Sequence, residues 1–370
     1  MAAFVASAVS YISHLFDTPY DPVRVDMPMD PEEPCYSLSF SKDQVNEYRE
    51  FFDKYGYVVV RDVLSSDQCL ATIDDMWSYI ETKGYNWVKR DEEIINPIRR
   101  DAPSTWDNGW PSGQAGGFAG NRPIFTKRAQ ENRQNPDVYN VFANLTGEKE
   151  LMVNQDRYAL FRPTTDQEGK MIHAEWASLP NVHLDMNPWV FTLPHGEGKE
   201  LNLESLAYEE SNDFFEENNH PGRYEDRKLH LQGLINLADN RNEDGGFIVV
   251  PGFHKIFLQW TEHTRSTLGK QYTNTMSFIL LDEKDPVWSH AQRVTARAGS
   301  LVVWNQLVAH GSTPNYSSRP RYAQFVKYQK AVPLDTERGQ HRKQAIAKQL
   351  EKFGINVTDL GSKLFSQTSW

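Results

Sequence analysis

Two short amphipathic stretches near the front of the chain have helical spacing. Ser41-Lys42-Asp43-Gln44 has the form of a capping box, and the pattern behind it runs to Lys54 before Gly56, which predicts one helix. Tyr57-Val58-Val59-Val60 is a continuous β-branched run and predicts a strand. Ser65-Ser66-Asp67-Gln68 then caps a second helix to about Lys83, with Gly84 to stop it. From Leu151 the period changes. Short runs (LMVNQDRYALF, NVHLDMNPWVF, KLHLQGLINL, FIVVPG, RVTARAGSLVVW, RYAQFVKYQKAV) alternate with turn residues, without the helices that parallel strands would need between them. Glu337 to Phe353, closed by Gly354, restores helical spacing. The pattern predicts a mainly β protein with flanking α-helices: a double-sheet jelly roll at about 151–331 inside one domain, 41–370, with helices before and after it.

Two stretches follow neither period. Residues 1–16 (MAAFVASAVSYISHLF) are apolar without the basic start of a signal peptide, so they read as a packing helix, with a processed leader as the alternative. Five prolines among acidic residues between Asp17 and Pro34 predict an extended arm completing 1–40. Between Asn96 and Arg122 lie Trp, Gly, Pro and Asn in a loop too broken for regular structure, which reads as a functional loop.

Composition removes whole classes of function. The 370 residues carry 39 basic and 50 acidic side chains, a net charge of −11, so general binding to nucleic acid, which needs clustered Lys and Arg, is not expected. A mean hydropathy of −0.64 argues against a membrane span. Cys35 and Cys69 are too few for a disulfide framework and form no CxxC, which points to a cytoplasmic, reducing location, organelle targeting aside. No GxGxxG occurs, Gly198-Lys199 and Gly269-Lys270 lack the Ser or Thr of a phosphate loop, and there is no GxSxG.

What remains is His183-Leu184-Asp185. Chance supplies about 0.7 H-x-D matches in a chain like this, so context has to decide. Val182, Leu184 and Met186 alternate with Asn181, His183, Asp185 and Asn187, giving a strand with one apolar face and one face able to coordinate a metal. The rivals His173-Ala174-Glu175 and His195-Gly196-Glu197 lie in helix, loop or turn contexts and read as surface residues. His230, His254 and His263 read as packing or surface histidines. A site of two histidines and one carboxylate needs a third ligand, and His310, just after the apolar run Leu301–Trp304, is the best placed.

With these residues assembled, HLDMNPW, DGGFIVVPGFHK and HGSTPNYSSRPR resemble, in order, the phytanoyl-CoA dioxygenase family of iron(II)- and 2-oxoglutarate-dependent oxygenases. The resemblance runs from KDQVNEYREFFDKYGYVVVRDVLSSDQ to Tyr328. It implies a cupin-like double-stranded β-helix, Fe(II) on His183, Asp185 and His310, 2-oxoglutarate and dioxygen as co-substrates, and room for ascorbate. It further implies Arg321 as the anchor of the distal 2-oxoglutarate carboxylate, Ser312 as a smaller contact, and Trp189 and Tyr158 at the cofactor's border, although both could equally be core aromatics. Asn187 could orient a ligand or simply open the Asn-Pro turn. Arg319 competes with Arg321, but strand alternation turns Arg321, Ala323 and Phe325 to one face, inward.

The activity implied is oxidation of an unactivated C–H bond of a small molecule, with hydroxylation the usual outcome. Oxidative cyclisation, as in kainoid synthases, and desaturation are alternatives on the same scaffold. Arg99, Arg100, Arg122, Lys127 and Arg128 make the 96–128 region locally basic, which suggests an anionic substrate, carboxylate-bearing or CoA-linked; a solvated basic face explains them as well. A cupin-like binding protein or a zinc hydrolase would keep the triad but would not need Arg321.

Overall fold

Gly56 ends the first helix where the pattern places it. Its φ of 77° is left-handed, and its N–H donates to the Phe52 carbonyl at 2.7 Å. The computed structural model describes residues 24–83, 98–107, 110, 118–119, 124–191, 231–271, 279–331 and 333–370. The apolar start 1–16, the stop at Gly84, Arg122, His195 and His230 lie outside them.

Helix α1 (Val45–Tyr55) begins later than the capping pattern suggests. Gln44 Oε1 accepts the Ser41 N–H at 2.9 Å, but Phe40 and Ser41 form a short strand, β1 (Phe40–Ser41), parallel to β2 (Tyr57–Arg61). The second box is complete. Ser65 Oγ accepts the Gln68 N–H at 3.3 Å, Gln68 Oε1 accepts the Ser65 N–H at 2.9 Å, and α2 (Ser66–Lys83) follows. A Cβ on Gly56 would stand 2.5 Å from both His254 Nδ1 and Val308 Cγ2. Gly56→Ala is therefore expected to cost about 1–3 kcal/mol, from the left-handed φ and the overlap together. A urea titration checks this: the midpoint should fall with the slope unchanged.

The remaining elements in chain order are β3 (Phe118–Ala119), α3 (Lys127–Arg133), α4 (Pro136–Thr146), β4 (Leu151–Val153), β5 (Tyr158–Phe161), β6 (Asn181–Leu184), α5 (Pro188–Phe191), β7 (Leu231–Asn236), β8 (Gly246–Val249), α6 (Phe253–Arg265), β9 (Ile279–Leu280), β10 (Gln292–Arg293), β11 (Leu301–Asn305), β12 (His310–Thr313), β13 (Arg321–Val326), β14 (Tyr328–Lys330), α7 (Glu337–Lys352) and α8 (Asp359–Leu364). The larger sheet has the order β1-β2-β11-β7-β13-β5-β3, a second sheet β10-β8-β12-β6-β9, and β14 pairs with β4. Apart from β1 with β2, the strands pair antiparallel.

The protein is thus mainly β with helices packed outside, as its periodicity predicts. The core is wider than the expected 151–331, because β2 lies between β1 and β11 within the larger sheet. Local pattern identifies Tyr57–Val60 as a strand; its partner, Leu301–Trp304, is more than two hundred residues away.

Alternation along β13 assigns the faces of the larger sheet. Tyr322 Oη accepts from Trp77 Nε1 of α2 at 3.0 Å, while Gln324 accepts from Asn132 Nδ2 of α3 at 2.8 Å and donates to the Ala129 carbonyl. Arg321, Ala323 and Phe325 therefore face the other way, toward the second sheet. There Phe247 of β8 packs on Trp304 of β11 with ring centroids 4.4 Å apart.

The described part of the arm lies along the second sheet's edge, with Gln292 accepting from the Met27 N–H and donating to the Val25 carbonyl. At the other end, the fully buried Arg342 of α7 donates to the Val153 carbonyl and Ser366 Oγ, which docks both C-terminal helices; α8 carries no signal recognised in the sequence.

Candidate metal centre

The register between β6 and β12 puts His183 directly opposite His310 and Asn181 opposite Ser312. Side chains opposed across antiparallel strands share a face, so two imidazoles 127 residues apart become neighbours, with ring centroids 4.5 Å apart. His310 follows the apolar strand Leu301–Asn305, as the sequence suggests, without being part of it. It opens a strand of its own after a turn in which Asn305 Oδ1 accepts the Leu307 N–H.

Asp185, just past the end of β6, completes the group. Its Oδ1 lies 3.6 Å from His183 Nε2 and its Oδ2 3.7 Å from His310 Nε2, and the three ligand atoms lie within 4.8 Å of one another. Ligands about 2.1 Å from one octahedral ion stand ~3 Å apart, so closing around an ion needs only a small contraction.

Both rings are oriented by their other nitrogen. His183 Nδ1 is 2.9 Å from Asn181 Oδ1, and His310 Nδ1 is 2.9 Å from the Val308 carbonyl. Each acceptor fixes the proton on Nδ1 and turns the Nε2 lone pair toward Asp185. Burial, reinforced by the neighbouring His310, lowers His183 to a pKa of about 3, so this imidazole is neutral and ready to ligate at neutral pH. Burial alone would raise Asp185, but the facing imidazoles of His310 and His183 and the Gln232 amide donor hold it well below the usual carboxylate range. Two imidazoles and one carboxylate, gathered on one face, fit a divalent iron-type ion with open positions.

Arg321 is buried on the inward face of β13, its guanidinium 4.8 Å over the Phe161 ring. Burial lowers its pKa to about 10, and Nε has no hydrogen-bond partner. No carboxylate of a described residue pairs with it. Gly246 makes room for it: a Cβ there would come within 2.3 Å of Arg321 Nε, at a φ of 109°. The competitor Arg319 points elsewhere, donating to Glu243 Oε1 at 2.6 Å and Asp244 Oδ1 at 2.7 Å.

Ser312 shares the face of His310, and its Oγ accepts from Asn181 Nδ2 at 3.2 Å. Tyr158 and Trp189 fill packing positions. Tyr158 opposes Gln324 on the helix-facing side of the sheet, and its hydroxyl bonds Thr126 Oγ1 at 2.9 Å and donates to Asp75 Oδ2 at 3.3 Å, so alternation turns it away from Arg321. Trp189 packs on α6, with Nε1 donating to Thr264 Oγ1 at 3.1 Å and its ring 5.7 Å from Trp260. Asn187 accepts the Trp189 N–H, as a turn residue would.

His173 and Glu175 do meet, at 2.8 Å, and with Asp107 form a second His/carboxylate group. Its carboxylates are exposed, His173 stacks on Trp176, and Asp107 Oδ1 already accepts from Trp176 Nε1 and Arg162 Nη1. The basic residues of the 96–128 segment are largely matched: Arg99 pairs with Asp101, Arg100 with Asp74 and Arg128 with Glu131.

The structure adds residues that the sequence does not single out for the site. Gln232 Nε2 donates to Asp185 Oδ2 at 2.6 Å, Trp304 Nε1 donates to Gln232 Oε1 at 2.8 Å, and Gln306 Nε2 donates to the Asp185 carbonyl at 3.3 Å. Burial lowers the pKa of Lys327 to about 8, and the Asp185 charge opposes that shift. None of these four carries a local signal in the sequence, unlike Asn181, which lies two residues before His183 on the same strand face.

A family model described as Phytanoyl-CoA dioxygenase (PhyH) matches residues 208–323, a stretch that includes His310 and Arg321 and begins after Asp185. A protein of Dictyostelium discoideum named "Putative phytanoyl-CoA dioxygenase" is 38% identical over 307 residues, 82% of this chain and 80% of that one. The ectoine dioxygenase of Bordetella parapertussis is 30% identical over 106 residues, 26% of this chain and 33% of that one. The crystal structure of the "Putative Oxidoreductase from Salmonella typhimurium LT2" shares the fold at a TM-score of 0.53 and 13% identity, covering 98% of this chain and 91% of that one.

Proposed function

The chain belongs to the phytanoyl-CoA dioxygenase family and is a dioxygenase, and on that footing we propose that it is an iron(II)- and 2-oxoglutarate-dependent oxygenase with a double-stranded β-helix core. His183, Asp185 and His310 hold the iron. Arg321 holds the distal carboxylate of 2-oxoglutarate, with Ser312 as a lesser contact. The observation that carries this reading is the pairing of the triad with a buried guanidinium that no described carboxylate neutralises. A buried charge without a counter-ion is costly, and a dianionic co-substrate reaching from the metal supplies one. Neither a zinc hydrolase nor an inert binding protein needs that second feature.

Bound iron, with dioxygen and 2-oxoglutarate, supplies the oxidising power for an unactivated C–H bond. The chain's own residues orient and shelter. Asn181 and the Val308 carbonyl aim the two imidazoles, while Phe247 and Trp304 wall the site against water beside His310. Hydroxylation of a small organic substrate is the proposed outcome; cyclisation or desaturation would use the same residues. A carboxylate-bearing or CoA-linked substrate stays within the proposal, but Arg99, Arg100 and Arg128 do not support it, since acidic neighbours already match their charge. Two free cysteines suit a reducing compartment, and no helix among the described residues is long and apolar enough to cross a membrane.

The test is to load the protein anaerobically with Fe(II), supply 2-oxoglutarate and a metabolite extract, and admit air. Succinate should form above the metal-free control, with a product heavier by one oxygen or lighter by two hydrogens; no succinate across a broad panel would reject the reading. Gly246→Ala is expected to raise the KM for 2-oxoglutarate about tenfold, equivalent to ~1.4 kcal/mol, by displacing the Arg321 guanidinium. Iron content should stay unchanged.

A further inference from the structure

We propose that Trp304 and Gln232 form a relay of fixed polarity that occupies one oxygen of Asp185 and leaves the other as the coordinating atom. The proposal rests on the iron site assigned above. Trp304 of β11 and Gln232 of β7 are directly opposed in register, and both are buried. An indole N–H can only donate, so the Gln232 carbonyl oxygen must face it, at 2.8 Å. That choice turns the amide NH2 toward Asp185 Oδ2, at 2.6 Å. Without Trp304 the amide could take either orientation, and the wrong one would set two acceptors against each other. Gln306 steadies the same residue through its carbonyl. No hydrogen bond from a described residue reaches Oδ1, the oxygen facing His183 Nε2.

Coordination arithmetic gives the relay its consequence. A six-coordinate ion held by two imidazoles and one carboxylate oxygen keeps three positions open, enough for a chelating 2-oxo acid and dioxygen. If Asp185 supplied both oxygens, one of those positions would be closed. Gln232 prevents this by engaging Oδ2, and groups of this kind commonly tune a metal site as strongly as a weak ligand does.

The test uses Mn(II), whose coordinated waters report directly on open positions through water-proton relaxation. Gln232→Met keeps the side chain's length and removes the donor. Trp304→Phe keeps an aromatic ring against Phe247 and His310 and removes only the indole N–H, so it tests the relay should the first variant fold poorly. Wild type should bind one Mn(II) with three waters. Gln232→Met should retain two, lowering the relaxation enhancement of the bound ion by about a third. Trp304→Phe should move partway, and the double variant no further than Gln232→Met alone. Wild-type relaxation in both single variants would overturn the relay while leaving the iron site intact. A wild type that binds no Mn(II), or a His183→Ala variant that binds it equally well, would instead bring down the iron-site assignment and the relay with it.

Discussion

Asp185→Gly is expected to lower Fe(II) affinity more than ~100-fold and to abolish succinate formation. The change deletes the one anionic ligand, an effect larger than the 10- to 100-fold typical of residues that merely support a ligand. The two imidazoles would remain, opposed across β6 and β12, but neutral donors alone hold a hard divalent ion poorly. His173→Ala should leave both measurements near wild type, because that imidazole stacks on Trp176 and bonds an exposed Glu175. Iron analysis and a succinate assay on the two variants decide the matter. Iron lost in His173→Ala and kept in Asp185→Gly would move the metal to the group at Asp107, His173 and Glu175.

Arg321→Leu should raise the KM for 2-oxoglutarate by ~30-fold or more with iron content unchanged, since removing one member of a buried charged pair costs roughly 2–5 kcal/mol. Arg319→Leu should behave differently. Its guanidinium clamps Glu243 and the buried Asp244, so its loss should appear as reduced stability and not as a changed KM. Steady-state kinetics beside urea titrations separate the two effects. If KM rises in Arg319→Leu and not in Arg321→Leu, the anchor lies two residues earlier on the chain.

These two arginines show how far alternation along a single strand can be read. Arg321, Ala323 and Phe325 share a parity visible in RYAQFV, and the structure turns that parity to the second sheet. The same alternation marks His183 with Asn181 in NVHLD. Tyr158 shows the limit of such reading. Being aromatic on a strand beside Arg321's own strand says nothing about the face it takes; its opposition to Gln324 turns it to the helices.

The sequence by itself determined what depends on neighbours a few residues apart. Its periods set the helices and most strands, Gly56 and the Ser65–Gln68 box set two helix ends, and spacing of two put His183 and Asp185 within reach of one ion. The tertiary structure alone decided what depends on partners far along the chain. It drew β1 and β2 into the larger sheet, set His310 opposite His183, placed Gly246 against Arg321, and joined Trp304 through Gln232 to Asp185. The physical reason is that strand periodicity fixes the face of a side chain but carries no address for its partner. Partners are chosen by register between strands tens to hundreds of residues apart, and a slip of one residue there would turn every ligand to the wrong side.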